Sequence, residues 1–426
     1  MTVATTRLKY LCVDGGQYGL NLPASEYVSS GEGLRLIRTT DLRPDGLLPP
    51  DEGIFAPTPV DARFLLDAGD VLVSRAGTIG RSFLTPPQAA GSTFAGFLVR
   101  FRPQTGTDSR YLNYVLQSTP VQQQIQAEAI TSTIQNFNAE RYASLRVPNV
   151  DPEQQRRTAD FLDEQVGLAD KAIKLRRREE ALLADRRSAT VLQAVTGAER
   201  SGPRTSRRLT WARSTPADWP VSKITYHSRL GSGHTPSRSR PEWWTDCTIP
   251  WITTGEVHQI RDDRQEVISS TREHICTLGV QNSSAEVHPA GTVVLSRTAS
   301  AGFSGVMGSN MATSQDFVTW TCQESLDPFY LLWCLRAMRR DLLGRLAMGS
   351  THKTIYVPDI QTLRIPVPPI IEQARIVKEI RDGNTYLDRL VDLGRTQVAL
   401  LNERKQALIT AAVTGEFDVT TARTVA

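Results

Sequence analysis

The sequence predicts an α+β chain in which two β-rich units alternate with two long helices, the second half repeating the first. Three observations carry this reading. The phrase LRVPNVDPEQQR at Leu145 returns as LRIPVPPIIEQAR at Leu363, 218 positions later. Each copy leads into a long charged run that ends in AVTG. Further pairs recur in the same order at offsets of about 215 to 222, among them GDVLVSRAGTIG (69–80) with GTVVLSRTASAG (291–302) and YLNYVLQS (111–118) with YLLWCLRA (330–337). Order together with near-constant offset marks a duplicated module rather than a chemical motif.

The first unit, residues 1–148, holds short β-rich runs such as DVLVS and FLVRF broken by Gly and Pro turns. A helix follows over residues 149–200, and a linker rich in Ser, Arg and Pro spans 201–217. The second β-rich unit is expected at 218–368, its helix at 369–418 and a tail at 419–426. Pro152 suits a first helical turn, and Gly197 and Gly415 suit helix ends.

Both helices carry an apolar seam whose steps alternate four and three, the heptad pattern of a coiled coil. In the second it runs through Ile380, Leu387, Val391, Val398, Leu401 and Leu408. Subtracting 218 yields the seam of the first, through Leu162, Val166, Ala169, Ile173 and Leu183, weaker in its middle at Arg176 and Glu180. The shared register suits an antiparallel pair related by a pseudo-twofold repeat. A helix of about 42 residues is about 63 Å long, which corresponds to at most roughly 18 base pairs of B-DNA.

The bulk composition permits a nucleic-acid partner without demanding one. The chain has 426 residues, 40% hydrophobic, and a formal charge of +4. Its basic residues are mostly Arg, the side chain suited to bidentate contacts with phosphate and guanine. The five cysteines lack C-x-x-C spacing and read as buried reduced thiols. No apolar run reaches the length of a membrane span, and MTVATTRLKYLCVDGG lacks a signal-peptide core, so a soluble cytoplasmic chain without membrane contact is expected. Catalytic signatures are missing from the sequence: no G-x-x-x-x-G-K-[ST] loop, no H-E-x-x-H, no N-P-P-Y or D-P-P-Y, and no Cys/His zinc spacing. Neither a catalytic residue nor a metal site is expected.

The segment DWPVSKITYHSRLGSGHTPSRSRPEWWTDCTIPWITTGEV (218–257) resembles the opening of a target recognition domain in the specificity subunits of type I restriction-modification enzymes. GDVLVSRAGTIG and the paired PxPxxEQxR before a long helix are similar to that family too, and the resemblance covers nearly the whole chain. Two departures stand out. CVDGGQYGLNLP replaces LGSGHTPS in the first unit, and the first EQ segment is one residue shorter.

The resemblance implies a non-catalytic subunit with two target recognition domains, each reading one half of a split site in double-stranded DNA. The coiled-coil spacer would set the gap and dock two methyltransferase subunits. Two restriction subunits would join them in a phage-defence complex. No cofactor would belong to this chain: S-adenosylmethionine sits with the methyltransferase, and ATP and Mg with the nuclease. Two other readings compete. One is the specificity subunit of a methylation-only or combined type II-like complex. The other is a coiled-coil protein–protein adaptor.

On that reading, polar loop residues at matching places are candidates for DNA contact. Ser74, Arg75 and Thr78 follow a strand, and Ser296, Arg297 and Ser300 are their counterparts. A tight turn needed by the fold would use the same residue types. Gln135, Asn136 and Asn138 suit adenine, while His352 and Lys353 suit phosphate or guanine. Ser232, His234 and Thr235 form a further loop whose counterpart carries Gln17 and Tyr18. Trp243 and Trp244 are expected under the sheet, and Arg204, Arg207, Arg208 and Arg213 in a solvated tether.

Overall fold

The structure, a computed structural model, describes residues 3–43, 46–130, 136–206, 209–347 and 353–419. It divides into two compact units, 1–178 with 394–426, and 179–393. The division passes through the two long helices rather than at their ends. Each helix, Pro152–Val195 and Ile370–Thr414, gives one part of its length to each unit.

The first unit is built on an antiparallel sheet of four strands in the order Gln17–Tyr18, Leu98–Phe101, Val71–Ser74 and Ser82–Leu84. The second has the corresponding order Ser228–Ser232, Phe317–Cys322, Val293–Ser296 and Ser304–Met307, with Val267–Ile268 added in parallel at the edge. The registers agree, Val73 opposite Val99 and Leu295 opposite Val318. All eight residues of the strands at Val71–Ser74 and Leu98–Phe101 are buried, which suits their mostly apolar side chains; Ser74 and Arg100 are the buried polar exceptions. Each unit also has a strand before the helix phrase (Arg146–Pro148, Arg364–Pro366) that pairs with an early strand of that unit (Thr5–Arg7, Val221–Lys223).

The helix phrase itself is explained by one side chain. Gln155 is buried; its Oε1 accepts from the Asp108 amide at 2.9 Å and its Nε2 donates to the Val150 carbonyl at 2.8 Å. Gln373, 218 residues later, accepts from the Asp327 amide at 2.8 Å and donates to the carbonyls of Pro368 at 2.8 Å and Ser325 at 3.0 Å. Asp108 and Asp327 are in turn the N-caps of the helices Ser109–Gln117 and Pro328–Ala337. One amide therefore joins the start of a long helix to the cap of the helix packed beneath it.

The apolar seam residues vary in burial. Leu162, Val166, Ile173, Ile380 and Leu387 are buried, and Ala169, Leu183, Val391, Val398, Leu401 and Leu408 are half-buried. In the first unit, Leu162 and Val166 share a core with Ile409, Ala412 and Val413. In the second, Val191 and Val195 share one with Ile376, Val377 and Ile380. In both, the start of one helix meets the end of the other, so the pairing is antiparallel. The polar seam positions pair as well: Lys405 with Asp170 at 2.7 Å, and Arg187 with Asp388 at 2.5 Å, the same ion pair at an offset of 218. Ile376, Ile409 and Val413 lie off the seam and pack against the sheet domains, a second buried face that heptad counting does not reveal; Val377 continues the seam, three residues before Ile380.

Two expectations need correction. Arg204 is no free tether: its guanidinium donates to the Gly197 carbonyl at 2.6 Å and the Thr196 carbonyl at 3.2 Å, closing the end of the first long helix, where unpaired carbonyls attract a cation. Arg213 is exposed, and Arg207 and Arg208 lie outside the described residues. Of the five cysteines, all free, Cys247 and Cys322 are half-buried rather than buried. Burial still raises the Cys322 thiol to about 12, keeping it protonated. Among the described residues no helix is long and apolar enough to cross a membrane.

Gln373→Ala would leave the Asp327 amide and two carbonyls without their buried partner, and should destabilise the fold by about 1–3 kcal/mol. Gln155→Ala should do the same in its unit. Urea unfolding of each variant against the parent measures it; unchanged midpoints would exclude the amide as a structural tie.

Candidate nucleic-acid interface

The candidate residues cluster in each unit where three loops meet a turn that enters the central strand. The frame is the same in both. Arg75 N–H donates to the Phe97 carbonyl at 2.9 Å, and Arg297 N–H to the Asp316 carbonyl at 2.8 Å. The Arg carbonyls accept from the late loops, from Phe137 at 3.0 Å and Ile355 at 2.8 Å. The early loops close on the turn through Leu20 N–H to the Phe94 carbonyl and His234 N–H to the Thr313 carbonyl, at 2.6 and 3.0 Å. Glycine is required at Gly19 and Gly233. A Cβ there would lie 2.3 Å from the carbonyl oxygens of residues 94 and 95, or 2.2 Å from those of 313 and 314.

On this frame the side chains differ. In the first unit the Arg75 guanidinium lies over the Tyr18 ring, 4.6 Å from its centre, and its Nε donates to Asn136 Oδ1 at 2.9 Å. Tyr18 Oη accepts from the Ala139 amide at 2.8 Å, so the late loop rests on the early one. In the second unit Arg297 Nε donates to the Gln315 carbonyl at 2.9 Å, and Thr235 Oγ1 donates to Gln315 Oε1 at 2.5 Å. Lys353, two residues before Ile355, and Ser232, three before Thr235, are exposed, and Gln17, half-buried, donates to the Tyr18 carbonyl at 2.8 Å. Thr78 is exposed at the tip of its loop; Ser300 accepts from Arg261 at 3.3 Å.

Three candidates are reassigned. Ser74 and Ser296 are buried and their hydroxyls are used within their own loops, on the Thr78 and Thr298 carbonyls. Gly80 and Gly302 N–H close the same loops on the carbonyls of Ser74 and Ser296, both glycines at positive φ. Asn138 is the N-cap of Ala139–Ser144, its Oδ1 accepting from the Arg141 amide at 2.9 Å. These side chains shape the loops rather than face outward. Gln135 and His352 lie outside the described residues. Trp244 is half-buried against Trp251, ring centres 5.5 Å apart, with Arg238 stacked on it at 4.1 Å. Sequence reasoning missed the turn itself, Gly96-Phe97 and Gln315-Asp316. Of those four residues only Phe97 falls in a run that reads as β-rich, FLVRF.

Beneath the second cluster lies His288, buried, with Thr319 Oγ1 3.4 Å from its Nε2. Burial lowers its pKa below the ordinary 6.5; Glu286 opposes the shift and Arg229 adds to it. Among the described residues no group of three or more His, Cys, Asp or Glu could hold a metal ion.

Residues 216–397 match the family described as type I restriction modification DNA specificity domain. The chain is similar to the type I restriction enzyme MjaIX specificity subunit of Methanocaldococcus jannaschii, 25% identical over 189 residues, 44% of this chain and 42% of that one. It is also similar to the type I restriction enzyme EcoR124I/EcoR124II specificity subunit of Escherichia coli, 24% identical over 166 residues, 38% of this chain and 39% of that one. The chain thus spans about two-fifths of the length of the curated relatives it matches. Its fold is that of a chain solved for work on complex assembly and conformational transition of the type I R-M system, with TM-score 0.67, 18% identity and 98% of each chain covered. The HsdS subunit from Thermoanaerobacter tengcongensis is also similar, with TM-score 0.50, 17% identity and 97% of each chain covered.

His288 should make stability depend on pH. Unfolded, it binds a proton near 6.5; folded, only at lower pH. Its contribution is therefore whole above pH 6.5 and is lost as pH falls toward the folded pKa. His288→Gln should flatten the fall in thermal midpoint between pH 7 and pH 5. A parallel fall in parent and variant would refute it.

Proposed function

We propose, for a chain whose comparisons indicate a type I restriction-modification specificity subunit, that it recognises a split double-stranded DNA target and performs no catalysis itself. Residues 1–148 and 218–368 would act as the two recognition domains, and 149–200 and 369–418 as spacers. The observation that supports this reading is the loop cluster, present twice on one backbone frame with different side chains. Two such readers suit a target whose halves differ. In each, the arginine (Arg75, Arg297) would hold the loops and present its guanidinium edge, while Tyr18, Asn136, Thr235, His234 and Lys353 supply donors and acceptors to bases or phosphates.

The long helices would dock the methyltransferase subunits, two per chain, with restriction subunits joining them. The support is a second apolar stripe that is not part of the seam. Leu168, Leu175 and Leu182 repeat every seven residues on the first helix, and Tyr386, Leu393 and Leu400 repeat at an offset of 218 on the second; all are 55–66% exposed. Large apolar side chains at heptad spacing on a solvated face suit partner helices. S-adenosylmethionine, ATP and Mg would belong to those partners. An adaptor that binds only protein would use the helices but leaves both framed loop clusters without a task. A methylation-only complex would use this chain identically.

Co-expression with a neighbouring methyltransferase in a methylation-free host, with long-read mapping of N6-methyladenine, should return a split motif with a fixed gap. A continuous motif would rule out two readers. Deleting seven residues from both helices removes about 10 Å, and should shorten the gap by about three base pairs; an unchanged gap would end the spacer role.

Leu175→Asp with Leu393→Asp should abolish copurification of the methyltransferase while leaving the thermal midpoint nearly unchanged, because both side chains are exposed. The mass of the parent complex should correspond to two methyltransferases per chain. Full retention of partner by the variant would exclude the stripe.

A further inference from the structure

The turn that enters the central strand carries different chemistry in the two units at equivalent backbone positions. Leu98 N–H returns to the Ala95 carbonyl at 2.9 Å, and Phe317 N–H to the Ser314 carbonyl at 3.2 Å. With the arginine amides bound to the Phe97 and Asp316 carbonyls, these bonds align Gly96 with Gln315 and Phe97 with Asp316.

In the first unit the turn presents Phe97, 63% exposed although Leu98 and Val99 beside it are wholly buried. Nothing in the sheet requires an aromatic ring in water there. The ring stands next to Gly96, whose carbonyl accepts from Arg75 at 3.4 Å, so the reader arginine and the exposed ring share one turn. In the second unit Asp316 cannot act outward in the same way. Its carboxylate accepts from the hydroxyls of Thr298 and Ser314, the latter at 3.1 Å. The exposed residue is Gln315 instead, one place earlier. Its carbonyl is held by Arg297 and its side-chain oxygen by Thr235, which together orient the amide. That oxygen keeps a second lone pair, and the amide nitrogen keeps its donors.

These two groups fit two different features of the major groove. An exposed phenyl ring makes apolar contact with the thymine methyl group, whereas an oriented glutamine amide accepts from adenine N6 and donates to N7. We propose that this turn is a base-reading element in each unit, Phe97 taking a thymine methyl in one half of the target and Gln315 pairing with adenine in the other. Arg75, Arg297 and Thr235 are its positioning residues. The proposal rests on the two-reader function above and specifies which residues make the halves differ.

The test is selection from a randomised duplex library by the purified complex of full-length chain and methyltransferase, comparing the parent with Phe97→Ala and Gln315→Ala. Both side chains are exposed, so neither change threatens the fold. Phe97→Ala should lower the preference for thymine at one position of one half-site by roughly 3- to 5-fold, the worth of one buried methyl group. Gln315→Ala should lower the preference for adenine at one position of the other half by roughly 5- to 100-fold, as loss of a bidentate pair would. Uracil in place of that thymine should mimic Phe97→Ala on the parent and add nothing to the variant. The proposal is overturned if both variants keep the parent's motif, if they weaken binding equally at all sequences as a phosphate contact would, or if both relax the same half. A parent motif that is not split, with each variant still relaxing its own base, would reject the two-half-site function but retain the two residue assignments.

Discussion

At the start of each long helix a glutamine amide is buried with its partners on neighbouring backbone: a capping aspartate's N–H on one side and one or two carbonyls on the other. A buried amide without partners would be costly. The strand–Pro–helix entry, the cap of the preceding helix and the angle at which the long helix leaves its sheet domain are therefore set together. The rest of each unit depends on this tie. The central strands pack on the capped helix, and the candidate loops hang from those strands.

The long helices serve several surfaces at once. Their apolar seam positions are buried or half-buried, with the Lys405–Asp170 and Arg187–Asp388 pairs at equivalent places. Such partly exposed ion pairs contribute little to stability, on the order of 1 kcal/mol or less. Their value lies in register: an arginine or lysine on an apolar seam finds its aspartate in only one alignment. A second face packs on the sheet domains, and a third stays in water carrying leucines every seven residues. One helix can do this because a face returns every 3.5 to 3.6 residues.

The two loop clusters show how a duplicated frame acquires separate chemistry. The bonds that define the frame are made by backbone groups, by glycines at close approach and by buried serine hydroxyls. None of these fixes the identity of the side chains around the turn, so the exposed Phe97 and Gln315 and the half-buried Tyr18 and Thr235 differ between the units on one frame. The same division explains which candidate residues were legible. Arg75 and Arg297 stand out because SRAG and SRTA recur after matching strands. Ser74, Ser296 and Asn138 share the residue types of a binding loop but spend their hydrogen bonds inside the protein, and residue type alone does not separate the two uses.

The sequence by itself determined the duplication, the alternation of sheet units with long helices, the heptad seam and its register. Each of these is a periodic signal, and periodicity survives without coordinates. Tertiary structure decided the remainder: that the compact units divide within the helices, that Arg204 closes a helix end, and that the turn at Gly96-Phe97 and Gln315-Asp316 meets the arginine loop. These depend on which distant backbone groups satisfy one another. Arg75 meets Asn136 across 61 residues, and Thr235 meets Gln315 across 80. Local pattern carries no trace of such pairings, because they are selected only once the sheet has brought the loops together.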